Sequence, residues 1–179
     1  KRGQGLAYSM LATVKDKENN LKKAISSLIE ALQIYSMDKY PKDFAKTQGY
    51  LSNAYMLMSE VRDKYGNLTK AINANIEALR VYSKEKYPIK YGKIIVNLAI
   101  DYGLLSEVQD KKENTLKAIE YCKEALNIFN SADFPVENST VKLNLANSYF
   151  GLYEVSANIE DLKLAIDYYK KAAEILTIE

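Results

Sequence analysis

The sequence predicts an all-α fold, a solenoid of antiparallel helix pairs, on three observations. Ala24, Ala71, Ala118 and Ala165 recur every 47 residues, as do Ala31, Ala78, Ala125 and Ala172. The prolines Pro41, Pro88 and Pro135 and the tyrosines Tyr8, Tyr55, Tyr102 and Tyr149 keep the same step. Between these columns, apolar residues fall at i, i+3, i+4 and i+7, the spacing of one helix face. A fixed period of this kind marks a repeat array, in which each helix pair buries its apolar face only against its neighbours. No segment reads as a strand.

Each repeat carries two helices, A and B. Asn20, Asn67, Asn114 and Asp161 precede the B helices and are expected as their N-caps, with a side-chain oxygen accepting from a free backbone N–H. The apolar face that follows is Leu21, Ala24, Ile25, Leu28, Ala31, Leu32 and Tyr35 in the first B helix. Short connectors come next, Tyr40-Pro41, Tyr87-Pro88 and Phe134-Pro135. Proline suits a first helical turn, where its missing N–H has no partner to lose. The aromatic before it is expected to anchor the turn in the core. Helix A then runs from Pro41 to about Asp63, with Phe44, Leu51, Tyr55, Met58 and Val61 on one face. Gly66 is expected to interrupt the chain before the next cap. Both alanine columns, and the small column Gly5, Ser52, Ala99 and Ala146, should lie where helices approach closely.

The expected organisation is one solenoid over 1–179. It has a partial unit at 1–19, units at 20–66, 67–113 and 114–160, and a final helix at 161–179. The first unit is partial and the last helix still has an apolar face (Leu162, Ala165, Ile166, Tyr169, Ala172, Ile175), so the chain is expected to be a fragment of a longer protein, or to associate through its uncapped ends.

Composition narrows the function classes. The net charge of +2 gives no basic groove, so nucleic acid is not an expected partner. No apolar run approaches the ~18 residues of a membrane span. The sequence has no histidine, which removes the commonest general base and zinc ligand; no metal or cofactor is expected. Cys122 is the single cysteine and shares a core-facing column with Leu28, Asn75 and Tyr169, so an inert buried thiol is expected. No P-loop or dinucleotide fingerprint occurs. An enzyme is not expected. Asn75 is the misfit of its column and should either bond a neighbouring helix or lie at the rim. Glu60, Glu107 and Glu154 form an acidic column, read as local i, i+4 pairs of Glu60 with Lys64 and Glu107 with Lys111.

The stretches Tyr50-Leu51-Ser52-Asn53-Ala54-Tyr55, Asn97-Leu98-Ala99-Ile100-Asp101-Tyr102 and Asn144-Leu145-Ala146-Asn147-Ser148-Tyr149 resemble the first-helix signature of tetratricopeptide repeats. The paired alanines of helix B, seven apart, and the proline beyond it extend the resemblance over the whole chain. The family's usual period is ~34 residues. This chain is similar to its long-helix variants in large microbial multi-repeat proteins. The resemblance implies a right-handed superhelix with the A helices lining a concave groove.

The groove residues would be Lys46, Gly49, Asn53 and Met56, then Lys93, Val96, Ile100 and Gly103, then Thr140, Leu143, Asn147 and Phe150. Asn53 and Asn147 match the family position whose asparagine bonds a peptide backbone. The family's carboxylate clamp requires a lysine where this chain has Gly49, Val96 and Leu143, so a grip on C-terminal carboxylates is not implied. A protein or peptide segment held in this groove by a cytoplasmic scaffold is the expected function. The alternatives are a ligand-sensing regulatory module attached to an effector domain, and an array presenting substrate to a catalytic domain elsewhere.

Overall fold

A computed structural model of the chain describes residues 1–176. Among them are eight α-helices and no strand: α1 (Arg2–Ala12), α2 (Lys17–Ile34), α3 (Pro41–Ser59), α4 (Lys64–Leu79), α5 (Pro88–Leu105), α6 (Lys111–Leu126), α7 (Pro135–Ser156) and α8 (Ile159–Leu176). The odd-numbered helices are the A helices and the even-numbered ones the B helices. The chain divides into two compact units, Lys1–Tyr87 and Pro88–Glu179. In the first, α1 packs on α2, α2 on α3 and α3 on α4; in the second, α5 packs on α6, α6 on α7 and α7 on α8. The all-α helical-repeat architecture is therefore as the period predicts.

The small columns account for the close packing. Ala24, Ala71, Ala118 and Ala165 are fully buried, as are Ala31, Ala78 and Ala125. Ser52, Ala99 and Ala146 are buried too. At Gly5 a Cβ would stand 2.6 Å from Leu28 Cγ, so helices α1 and α2 meet at a distance only glycine allows. The core of the first unit comprises Ala12, Leu21 and Met58, with Leu57 packed against them, and Leu28, Leu51 and Ala54 beside it. In the second unit Leu98, Ala118, Cys122, Phe129, Val141 and Leu145 are buried.

The start of helix B differs from expectation. The three full B helices begin at Lys17, Lys64 and Lys111, three residues ahead of the asparagines. The capping positions are Asp16, Asp63 and Asp110, each left-handed at φ 45°, 43° and 42°. Aspartate tolerates this conformation better than most residues. Asp63 also caps by side chain, its Oδ1 accepting from the Gly66 N–H at 3.1 Å. Gly66 therefore lies inside α4 and does not interrupt it.

Asn20, Asn67 and Asn114 are buried and act as donors, not acceptors. Their Nδ2 atoms donate to the carbonyls of Lys15, Arg62 and Gln109, at 2.9, 2.8 and 2.8 Å. Each ties the first turn of a B helix to the end of the preceding connector. In the last repeat Asp161 cannot donate, and it accepts instead from Ser156 Oγ at 3.1 Å. There the left-handed residue is Ala157, at φ 53°, a conformation costing alanine about 1 kcal/mol.

The first full A helix is shorter than expected, since α3 ends at Ser59 and residues 60–63 form the connector. Val61 is consequently exposed rather than in the core. The prolines do open α3, α5 and α7. The aromatics before them are only partly inside, and Tyr40 is exposed. They pack edge-on against the aromatic that ends helix B: Tyr35 with Tyr40, Tyr82 with Tyr87 and Phe129 with Phe134.

The acidic column pairs across helices. Glu60 meets Lys17 at 2.6 Å and Glu154 meets Lys111 at 3.0 Å. The expected local pairing of Glu60 with Lys64 is not the one formed by Glu60. A second repeated device places Lys23, Lys70 and Lys117 over the rings of Tyr8, Tyr55 and Tyr102, at 5.6, 5.7 and 5.3 Å. Asn75 is fully buried, which excludes the rim. At the chain's last helix, Ile166 and Tyr169 are exposed, so Tyr169 does not share the burial of Leu28 and Cys122. The side chain of Ile175 and residues 177–179 of the expected final helix lie outside the described residues.

Candidate functional site

Helical spacing sets the candidate face. On α3, Lys46, Gly49, Asn53 and Met56 stand at i, i+3, i+7 and i+10, one side of the helix. That side is open: Lys46 and Asn53 are exposed, Gly49 and Met56 half-buried. Nothing lies within 4 Å of a Cβ placed on Gly49. Lys46 leans over the Tyr50 ring, 6.0 Å from its centroid.

In the second unit, α5 and α7 touch each other as well as α6. This brings the remaining candidates together around three hollows. Lys93 and Val96 line a cavity of about 360 Å³ with Phe129, Val136, Glu137 and Thr140. Lys93 reaches Glu137 at 3.8 Å across it. Leu143, 45% exposed, lines another of about 270 Å³ with Tyr169 and Ala172 of α8.

Ile100, Gly103, Asn147 and Phe150 converge on a third, of about 260 Å³. Its walls also include Leu104, Thr115, Asn144, Ser148 and Gly151, and the Lys111–Glu154 ion pair stands among its lining groups. Apolar surface here comes from Ile100, Leu104 and Phe150, the last 43% exposed and tilted against Tyr153. Ser106 and Ser148 spend their hydroxyls on the carbonyls of Gly103 and Asn144, at 2.6 and 2.8 Å. Thr115 Oγ1 and Asn144 Nδ2 are buried and have no hydrogen-bond partner.

Asn147 is exposed, and its Oδ1 already accepts from the Tyr169 hydroxyl at 2.6 Å. Its amide nitrogen is the group on this side chain that points to further bonding. Asn53, its counterpart on α3, is exposed. Sequence reasoning did not pick out Thr115, Asn144 and Gly151. Thr115 interrupts the column Leu21, Leu68 and Leu162, and Gly151 the column Met10, Leu57 and Leu104, so a signal was present in the repeat.

Cys122 is buried on α6, and burial pushes its thiol up to about 12. A thiolate is not formed near neutral pH, so this residue offers no nucleophile. Among the described residues, no helix is long and apolar enough to cross a membrane. Comparison with protein-family models and with curated proteins finds no match to this chain.

Proposed function

We propose that the chain is a tetratricopeptide-like interaction module that holds a protein or peptide segment against the exposed face of its A helices, without catalysing a reaction. The observation that carries this is where the repeat varies. The columns kept from unit to unit are packing and turn positions. Among the columns that change chemistry, Asn53, Ile100 and Asn147, and Met56, Gly103 and Phe150, stand on the open side of the A helices, whereas others, such as Leu28, Asn75 and Cys122, are buried. Large apolar side chains on that side, Leu143 and Phe150, are nearly half exposed, the condition for an anchor that gains by burial. In this reading the A helices carry the binding face of a cytoplasmic scaffold. A regulatory module that signals to an attached effector domain would use the same face.

The test is affinity capture with the chain and two surface variants. Ile100→Glu with Leu143→Glu should remove most of what the parent chain retains, by at least ten-fold. Ile76→Glu with Leu116→Glu, exposed positions on the B helices α4 and α6, should retain it. Equal recovery by the first pair, or loss in the second pair alone, would place binding elsewhere.

A further inference from the structure

The packing of α2 on α3 has two open halves elsewhere in the chain, one on α8 and one on α1. In the first unit α2 presents Leu21, Ile25 and Leu28, and α3 meets them with Leu51, Ala54 and Met58. Three periods on, α8 carries the first face as Leu162, Ile166 and Tyr169. Ile166 is 47% and Tyr169 38% exposed, whereas their counterparts on α6, Ile119 and Cys122, are buried. One period back, α1 carries the second face as Gln4, Ala7 and Leu11. All three are exposed, and so is Met10 beside them.

An open half would accept any helix of the repeat's A type. Two departures from the repeat narrow the choice, because each is made on both halves at once. An ion pair ties α2 to the end of α3, Lys17 with Glu60, and another ties α6 to α7, Lys111 with Glu154. The residue before α8 at the lysine place is Asn158, and the residue after α1 at the glutamate place is Thr13. Both are exposed and uncharged. A lysine at 158 would find no glutamate on α1, and a glutamate at 13 no lysine beside α8. The second departure lies at the centre of the contact. Leu28 packs with Leu51 in the first unit, and the counterparts are Tyr169 and Gln4, each with a polar tip. The two halves have thus changed in step with each other.

We propose that the face of α8 is a docking surface for a second copy of this chain, whose α1 lies on it in the register that α3 takes on α2. Leu11 then packs on Leu162, and Ala7 and Gln4 on Tyr169, with Ile166 covered between them. The apolar area buried drives the contact. The two surfaces differ, so the contact is heterologous and copies add head to tail. It uses other residues than the partner-binding face proposed above and does not rest on that reading.

Sedimentation equilibrium of the full chain tests this, from about 10 µM to about 1 mM, the range suited to a small interface. The weight-average mass should rise with concentration from the monomer's 20.3 kDa to at least twice that value. Leu11→Glu and Ile166→Glu each alter an exposed side chain. Each variant alone should keep the parent's circular dichroism spectrum and stay at the monomer mass. An equimolar mixture of the two should associate again and stop at the dimer. The Ile166→Glu copy keeps its α1 and the Leu11→Glu copy keeps its α8, so one contact forms and a second cannot. A parent chain that stays monomeric throughout, a single variant that associates as the parent does, or a mixture that either remains monomeric or grows past the dimer would overturn the proposal.

Discussion

Asn67→Asp should destabilise the first unit by about 3 kcal/mol or more at neutral pH, whereas Asn67→Ala should cost only about 1–2 kcal/mol. Asn67 is buried, and its Nδ2 donates to two backbone carbonyls, of Arg62 at 2.8 Å and Asp63 at 3.1 Å. Aspartate keeps the shape but replaces the donor with a carboxylate facing two acceptors. Burial and the facing carbonyls both favour its protonated form, so its folded-state pKa is raised. With a raised folded pKa, the folded state holds the proton more tightly, and stability falls as pH rises above the unfolded carboxylate range. The penalty should therefore shrink on acidification toward pH 4, where the protonated carboxyl again has an O–H to donate. Urea melts followed by circular dichroism at the two pH values measure this. An N-cap role would give the opposite result, since asparagine and aspartate cap about equally well; no difference between the parent and Asn67→Asp would restore the capping assignment.

Phe129→Ala should cost the second unit about 3–5 kcal/mol, the range for deleting a buried aromatic. Phe129 is 1% exposed. Its ring meets Phe134 edge-on, 5.5 Å between centroids. It sits over Gly92, where a Cβ would come within 2.8 Å of ring carbons. The equivalent residue in the first unit is Ala45, and the equivalent ring there is Tyr82, which remains half-exposed and whose hydroxyl donates to the Lys42 carbonyl at 3.2 Å. Glycine at 92 lets the phenylalanine move further in, and the loss of the hydroxyl removes the need to reach a carbonyl. Phe129 also forms part of the cavity lined by Lys93 and Val96, so truncation enlarges an existing gap. Thermal melts of Phe129→Ala and Phe129→Leu measure the effect, with the leucine variant losing clearly less. Equal and small losses would mean that the ring is not the keystone of this corner.

These two sites also show what the sequence could and could not convey. The period gave the helix pairs, the proline starts and the small columns directly, because each follows from a local rule or a steric limit. The asparagine column was misread because one residue type serves two purposes. Asparagine accepts at an N-cap and donates when buried, and only the helix start decides which. That start was marked by Asp16, Asp63 and Asp110, a 47-residue column immediately before three lysines. The ion pairs were misassigned for a related reason. Glu60 has a lysine four residues on, but the chain brings Lys17 from another helix closer.

For the candidate site, helical spacing alone put the A-helix residues on one face. It could not show that Ile100, Gly103, Asn147 and Phe150 share a cavity, since two helices contribute them. Thr115 and Gly151 are mild departures when each column is read alone. That they face each other follows only from the way α6 and α7 pack.

The most direct measurement of the binding role is amide hydrogen exchange on the chain, free and with its captured partner bound. Slowed exchange should appear in α3, α5 and α7, strongest around Asn53, Ile100 and Asn147, with α2, α4 and α6 unchanged. Protection confined to the B helices, with the A helices exchanging as in the free chain, would contradict the assignment of the A-helix face as the site where this protein holds its partner.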